Sequence, residues 1–200
     1  IEFLRILYNQ PAFNKKGFPY WQTDTEPKTP VTKKTIKETA EKLAQGKIIG
    51  WYQGHGEIGP RALGNRSILM SPEVKNGKSI LNDTVKHRED YRPFAASILS
   101  EDVEKFFDWQ GESNFMKYTV KFKDRIFAPI SHIDNTSRIQ TVSNDIEVFY
   151  DLISEFKNLT GLPMLLNTSL NDNGKPIAGQ PSDALSLLKN SHMDSLVVGD

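Results

Sequence analysis

The sequence has no cysteine and no long apolar run, and its charges cancel. Without cysteine it can form neither a disulfide framework nor a thiolate metal site, which fits a cytoplasmic protein. No stretch reaches the roughly 18 consecutive apolar residues of a transmembrane helix. The 25 basic and 25 acidic residues give a net charge of zero, whereas a general nucleic-acid-binding protein usually has a basic excess. These absences argue against a membrane protein and disfavour nucleic acid as a partner.

The residues that are present indicate one globular domain with a lead-in. Residues 1–30 are rich in proline, lysine, glycine and threonine without periodicity, which predicts an irregular linker; the domain should then span residues 31–200. The chain begins with Ile1 and not with methionine, so we expect a piece of a longer protein. Short apolar runs and amphipathic segments mix without strict alternation. This pattern predicts an α/β fold with an open, mixed sheet and helices.

Two segments have clear periodicity. Residues 144–160 carry a helical apolar stripe, with Asn144 and Glu147 as a predicted capping box and Gly161 as the predicted stop. Residues 116–122 alternate apolar and polar side chains, which predicts a half-exposed strand.

Four of the seven arginines lie within residues 54–94: Arg61, Arg66, Arg88 and Arg92. Arginine offers a planar fork of donors that binds phosphate or carboxylate in a fixed geometry. The same stretch contains four glycines near its start, which let backbone amides approach a ligand closely. Their spacing matches neither the P-loop nor the dinucleotide fingerprint. The stretch therefore predicts an anion pocket, with a glycine-rich turn and a surface arginine as the alternative.

Three further clusters are polar. The run from Lys86 to Arg92 interleaves basic and acidic residues, and it could equally be a charged helix end. His132 and Asp134 could ligate a metal or relay a proton, although an isolated pair of this kind is more often structural. Residues 167–171 follow an apolar strand, where ligands bind in open α/β sheets, unless they form an Asn/Ser turn. One small anionic ligand together with a nucleotide would use all four clusters.

Four long motifs resemble, in order and spacing, the C-terminal domain of the nodulation-type O-carbamoyltransferases. They read GEIGPRALGNRSIL, KHREDYRPF, HIDNTSRIQTV, and TGLPMLLNTSLN followed by GKPI. The resemblance covers residues from about 31 to 200. The chain has His55-Gly56 where the family usually has Arg-Met, Ala96 in place of a proline, and Leu170 in place of a phenylalanine.

The resemblance implies a twisted open α/β sheet similar to that of threonylcarbamoyl-adenylate synthase. In that family this domain joins carbamoyl phosphate and ATP into carbamoyl adenylate. A separate N-terminal domain with an actin-like ATPase fold and a bound metal then passes the carbamoyl group to a hydroxyl. The resemblance thus implies carbamoyl phosphate, ATP and Mg²⁺ as ligands and the missing N-terminal domain as a partner. A non-catalytic module that binds a nucleotide or RNA is the alternative.

The resemblance also implies roles for individual residues. Lys86-x-Arg88 and Ser169-x-Asn171 match the family's two ligand motifs, which are expected to hold the carbamoyl and phosphate groups. Lys86, Arg88 and Arg92 are the predicted catalytic residues, because the chemistry is mainly charge stabilisation. The other predicted substrate-binding residues are Arg61, Arg66, Arg138, Asn167 and Thr168. Weaker candidates are Glu57, His132 and Asp134, and no metal ligand is assigned.

Overall fold

The computed structural model describes residues 31–57 and 59–199, so the predicted lead-in over residues 1–30 lies outside the described residues. Its strands form one seven-stranded sheet. In chain order they are β1 (Ile49–Tyr52), β2 (Arg66–Met70), β3 (Ala95–Leu99), β4 (Thr119–Lys121), β5 (Thr136–Val142), β6 (Met164–Ser169) and β7 (Ser195–Val198).

Helices and short helical turns connect these strands. The α-helices are α1 (Lys33–Ala44), α2 (Gly77–Leu81), α3 (Val103–Phe106), α4 (Glu147–Thr160) and α5 (Pro181–Lys189). A π-helical turn (Asn82–Lys86) continues α2, and 3₁₀ turns occur at Ser100–Asp102, Ala128–Ile130 and Asn144–Ile146.

The sequence explains where the two longest helices begin and end. The Thr32 side chain accepts a hydrogen bond from the backbone N–H of Thr35 at 3.2 Å and so caps α1. Gly161 ends α4 in the left-handed conformation (φ 76°), as predicted. α1 and α4 pack against each other, and α4 also contacts β3 and β6. These helices bury their apolar stripes, which belong to one continuous core with the sheet.

The strand order is β4-β5-β3-β6-β2-β1-β7. β3 runs parallel to β5 and β1 runs parallel to β7, whereas the pairs β1–β2, β2–β6, β3–β6 and β4–β5 are antiparallel. The sheet is therefore mixed and not closed, with β4 and β7 at its edges. This confirms the predicted α/β class with an open mixed sheet.

Two local predictions were wrong. The strand expected over residues 116–122 is reduced to β4, and Met116 adopts a left-handed backbone conformation (φ 53°) that no strand residue can have. The capping box expected at Asn144 is absent, because a 3₁₀ turn precedes α4. A capping box does occur at α5, between Gln180 and Asp183.

Among residues 31–57 and 59–199, none of the helices has the length and apolarity that crossing a bilayer requires.

Candidate functional site

A cavity of about 280 Å³ lies where β3 begins and β6 ends. These two strands are antiparallel, so their respective ends share one edge of the sheet. Ala95, the first residue of β3, lies opposite Arg138 of β5 on one side and Asn167 of β6 on the other. Directly opposed residues point to the same face, and all three line the cavity. The small Ala95 side chain leaves open space between its two long neighbours.

Five cationic side chains of the described residues line this cavity, which we call the cationic cavity: Arg61, Lys86, Arg88, Arg92 and Arg138. They come from the loop before β2, from the π-helical turn and the segment that follows it, and from β5. Among the described residues, Asp172 is the one carboxylate in the lining, and its Oδ1 lies 2.9 Å from His87 Nδ1. The cavity thus has a large excess of positive charge although the whole chain has none.

The π-helical turn directs Lys86 inward. Lys86 is only 3% exposed, whereas His87, the next residue, has a left-handed backbone conformation (φ 45°) and points to solvent. The backbone N–H of Arg88 donates to the carbonyl of Asn82 at 3.1 Å and closes the turn. π-Helical turns of this kind are frequent at functional sites.

Lys86 connects Lys86-x-Arg88 and Ser169-x-Asn171, the two ligand motifs that the resemblance implies. Its Nζ donates to the carbonyl oxygens of Ser169 (2.8 Å) and Asn171 (2.7 Å) and to Asn171 Oδ1 (2.6 Å). The Ser169 hydroxyl also donates to Asn171 Oδ1 at 2.6 Å. Burial, and then the positive charge of Arg88, lower the pKa of Lys86 to about 7. An anion bound beside it would favour the protonated form.

Arg88 is held by a buried amide that the sequence did not single out. Its Nε donates to Asn82 Oδ1 at 2.7 Å, and Asn82 Nδ2 donates to the carbonyl of Arg92 at 3.3 Å. The guanidinium also lies over the Phe94 ring, 4.7 Å from its centroid. Burial and the neighbouring Arg92 lower the pKa of Arg88 to about 10. It therefore stays cationic at neutral pH and has a fixed position.

Arg138 is half-buried at the opposite wall. Burial, and then the charge of Arg61, lower its pKa. Its Nε is buried and has no hydrogen-bond partner within the described part of the chain. Arg61 and Arg92 are exposed at the rim of the cavity.

Asn167 and Thr168 both line the cavity, together with Ser169 and Asn171. Asn167 belongs to a buried polar chain with Ser97 of β3 and Gln140 of β5. Asn167 Nδ2 donates to Ser97 Oγ (2.9 Å), and Ser97 Oγ donates to Gln140 Oε1 (2.7 Å). Nothing in the sequence pattern pointed to Ser97 or Gln140, which read as ordinary strand residues.

Arg66 and Glu57 do not line the cavity. Arg66 is fully buried, donates to the carbonyls of Gln53 and Gly54 (3.0 Å for the latter), and stacks 3.5 Å from the Tyr52 ring centroid. Glu57 Oε1 accepts from the backbone N–H groups at positions 63, 65 and 66 at 2.8, 2.7 and 3.1 Å. Both side chains fold the loop between β1 and β2, so the structure gives Arg66 no direct place beside a phosphate.

His132 and Asp134 also lie outside the cavity. Asp134 Oδ1 accepts from the backbone N–H and hydroxyl of Thr136 at 3.2 and 2.7 Å, and His132 Nδ1 lies 3.0 Å from the same hydroxyl. Burial lowers the pKa of His132. These contacts form a turn that leads into β5.

Of the four glycines near the start of the arginine-rich stretch, Gly64 has a packing role. None of Gly54, Gly56, Gly59 and Gly64 lines the cavity. Gly64 has a φ of 111°, and a Cβ atom there would overlap the ring of Phe149 in α4. It is this close approach of loop and helix, and not a ligand, that requires glycine at position 64.

Several further lining residues were not among the predicted site residues. They supply shape more than charge and include Pro60, Ala62, Ala95, Met116, Asn173 and Gly174. Alanine and proline are common everywhere, so only the fold shows that they border a ligand space.

The expected Mg²⁺ finds no protein-held site in the described residues. Within residues 31–57 and 59–199, no three His, Asp or Glu side chains group together. The cavity carboxylate, Asp172, is already close to His87 and to Lys175 Nζ (3.6 Å). No step is therefore assigned to a metal held by these residues.

Comparison with known families and curated proteins gives a consistent result. The family described as Carbamoyltransferase C-terminus matches residues 40–200. Nodulation protein NolO of Bradyrhizobium diazoefficiens is 45% identical over 167 residues, which are 80% of this chain and 30% of that protein. The 3'-hydroxymethylcephem-O-carbamoyltransferase of Streptomyces clavuligerus is 39% identical over 160 residues, 79% of this chain and 30% of that protein. The chain thus spans about a third of the length of these curated relatives.

Among solved structures, P. abyssi Sua5 complexed with L-threonine is similar with a TM-score of 0.61 and 14% identity. The similarity covers 86% of this chain and 49% of that one. At this identity the likeness concerns the fold, and it confirms the predicted likeness to threonylcarbamoyl-adenylate synthase.

Proposed function

Because this chain belongs to the Carbamoyltransferase C-terminus family, we propose that its cationic cavity joins carbamoyl phosphate and ATP into carbamoyl adenylate. The observation that carries the proposal is the convergence of five cationic side chains and one carboxylate on a single cavity of about 280 Å³. Carbamoyl phosphate and the ATP triphosphate are both strongly anionic. Bringing them together requires fixed positive charge that is already in place before the reaction.

The balance of atoms defines what the cavity must do. Phosphate and pyrophosphate are both released, so one water is consumed. Water cleaves carbamoyl phosphate to phosphate and carbamate. A carbamate oxygen then forms a bond to the α-phosphorus of ATP, and the bond from that phosphorus to the pyrophosphate oxygen breaks. Each step moves negative charge between oxygens, and none needs a covalent nucleophile on the protein.

The cationic residues have different roles in these steps, according to their positions in the cavity. Arg88 and Lys86 are fixed by Asn82 and by the carbonyls of β6 and its following turn, so they can hold a phosphoryl group in one place. Arg138, whose buried Nε has no partner among the residues that the structure describes, can donate to an oxygen close to the sheet. Arg61 and Arg92 at the rim can neutralise the phosphates that leave. Positioning of this kind, together with charge stabilisation, is the main source of rate in phosphoryl transfer.

The acceptor of the carbamoyl group is assigned to another part of the full-length protein. A relative whose name describes carbamoylation of a hydroxymethyl group is matched over 30% of its length only. We propose that a separate N-terminal domain, of the actin-like ATPase fold expected from the resemblance, binds the hydroxyl and receives carbamoyl adenylate from this domain.

The test is release of pyrophosphate from ATP by the full-length protein and by this 200-residue chain. Release should require carbamoyl phosphate. Arg88→Gln should lower the rate by about 30- to 1000-fold, which corresponds to the roughly 2–4 kcal/mol that one charge-assisted contact contributes in a dry site. Arg125→Gln is the matched control, because Arg125 is exposed and pairs with Glu73 away from the cavity.

Two results would contradict the proposal. One is pyrophosphate release that is unchanged in Arg88→Gln or independent of carbamoyl phosphate. The other is the absence of release together with RNA binding of steep salt dependence, which would identify a docking module.

A further inference from the structure

A hydrogen-bond acceptor lies unpaired among the donors of the cationic cavity. Asn167 is 1% exposed, and its Oδ1 has no hydrogen-bond partner within residues 31–57 and 59–199. Buried polar atoms are normally paired, so each exception calls for an explanation. Here the explanation should be a ligand that donates.

The orientation of this amide is fixed by its neighbours. Asn167 Nδ2 donates to the carbonyl of Ala62 at 3.3 Å, and a carbonyl can only accept. Gln140 Nε2 likewise donates to the carbonyl of Leu63 at 2.8 Å, so Gln140 Oε1 faces Ser97. Ser97 must therefore donate to Gln140 and accept from Asn167. The whole chain has one direction, and within the described residues it leaves Oδ1 of the cavity-lining Asn167 without a partner.

An unpaired donor lies on the other side of Ala95. Arg138 Nε is also buried without a partner in the described chain, and Arg138 and Asn167 both oppose Ala95 in the sheet. Their Cα atoms are two strand spacings apart, about 10 Å. Two residues that line the cavity thus carry, within the described part of the chain, one unpaired donor and one unpaired acceptor, with the small side chain of Ala95 between them.

We propose that Asn167 Oδ1 accepts a hydrogen bond from the amino group of the carbamoyl unit while Arg138 Nε donates to its carbonyl oxygen. The inference rests on the proposed function and adds the residue that selects a carbamoyl group over other acyl groups. A carbamoyl group has an N–H donor and a carbonyl acceptor on the same carbon, which complements the two unpaired atoms.

Phosphate groups do not satisfy this acceptor. Their ionised oxygens only accept, so they pair with the arginines and are repelled by Asn167 Oδ1. The amino group, in contrast, persists in carbamoyl phosphate, in carbamate and in carbamoyl adenylate. One contact can thus hold the carbamoyl unit through both steps while phosphate departs and the nucleotide is attached.

The adenine amino group is the rival donor. Adenine is uncharged and gains nothing from a floor flanked by Arg138 and the other cations of the cavity. Since the two ligands are separate molecules, the experiment can tell them apart.

The experiment measures dissociation constants of carbamoyl phosphate, acetyl phosphate and AMP by titration calorimetry on this chain. Acetyl phosphate replaces the amino group by a methyl group and leaves Asn167 Oδ1 unpaired. Wild type should therefore bind carbamoyl phosphate about 10- to 100-fold more tightly than acetyl phosphate. Asn167→Leu should bind the two equally and leave AMP binding unchanged. Asn158→Leu is the matched control, because Asn158 is exposed on α4 outside the cavity.

Each remaining outcome overturns a defined statement. Equal binding of the two acyl phosphates by wild type refutes the inference even if no variant folds. Selectivity that survives in Asn167→Leu, or in the smaller Asn167→Ala, refutes the role of Asn167. Loss of AMP binding in these variants assigns the contact to adenine and refutes the inference. If wild type binds no carbamoyl phosphate, the proposed function itself fails, which the other outcomes leave intact.

Discussion

Arg66 and Arg138 should respond to the same substitution in opposite ways. Both arginines are at least half-buried, and both belong to strands of the sheet. Arg66 donates to backbone carbonyls in the folded protein and lies outside the cavity, whereas Arg138 lines the cavity. We expect Arg66→Gln to reduce the free energy of unfolding with the cavity residues left in place. Arg138→Gln should reduce anion binding and leave the fold intact.

The magnitude for Arg66 follows from its partners. Its removal leaves the buried carbonyl of Gln53 without its donor and weakens the attachment of Gly54. One unsatisfied buried group costs about 1–3 kcal/mol. The contact with the Tyr52 ring adds about 1–2 kcal/mol, because it is desolvated. The expected loss of unfolding free energy is therefore about 2–5 kcal/mol, a large share of the stability of a single domain.

The magnitude for Arg138 concerns the ligand. Its charge lies near that of Arg61 and is partly desolvated, so its removal from the empty protein should change the unfolding free energy by less than about 1 kcal/mol. A bound anion would lose one charge-assisted contact. That loss is about 2–4 kcal/mol, or roughly 30- to 1000-fold in the dissociation constant of carbamoyl phosphate.

Urea unfolding and titration calorimetry measure the two quantities separately. Arg125→Gln is the control for loss of an exposed arginine, and it should change neither quantity by more than about 0.5 kcal/mol. The reasoning is refuted if Arg66→Gln keeps full stability and loses anion affinity, because Arg66 would then be a ligand residue as the sequence suggested. It is equally refuted if Arg138→Gln binds carbamoyl phosphate as wild type does.

Two further predictions concern Lys86 and Gly64. A bound anion should raise the pKa of Lys86 from about 7. Carbamoyl phosphate should therefore bind with proton uptake, and its affinity should fall as pH rises from about 6 to about 9. Calorimetry in two buffers measures the proton uptake, and Lys86→Met should remove most of the pH dependence. Gly64→Ala should lower the unfolding free energy by about 2–5 kcal/mol through backbone strain plus overlap with Phe149. Gly111→Ala, with the same sign of φ (96°) but open space around it, should cost only the strain, and equal losses in urea unfolding would exclude the overlap.

Charge clusters and strand ends are local features, so the sequence could single out Arg61, the run from Lys86 to Arg92 and residues 167–171, which all contribute to the cavity lining. The resemblance implied that Lys86, Arg88, Ser169 and Asn171 act together. All four line the cavity, and Lys86 donates hydrogen bonds to Ser169 and Asn171. The mixed sheet also followed from the pattern of apolar runs.

The face of a strand to which a side chain points could not be predicted from the same pattern. Arg66 and Arg138 looked equivalent, since each is an arginine in a short apolar strand. Only the register of strand pairing distinguishes their surroundings, because it places Arg66 beside Tyr52 and Arg138 beside Ala95. The strand predicted to begin at Met116 was wrong for a related reason. The alternation of side chains fits a strand, but Met116 has a left-handed backbone conformation and lines the cavity. Long-range pairing decides both cases, and short-range periodicity does not contain it.

The hydrogen bonds around the cations show how the cavity can hold so much positive charge. Burial, and then the charges of neighbouring cavity arginines, lower the pKa of Lys86, of Arg88 and of Arg138, so the cations also repel one another before any anion binds. The hydrogen bonds from Lys86 to the β6 carbonyls and from Arg88 to Asn82 offset part of this repulsion. The same bonds fix the two side chains, so little conformational entropy is lost when a phosphate arrives. The most restrained cations are thus the best prepared for the transition state, because their positions need no reorganisation as charge develops.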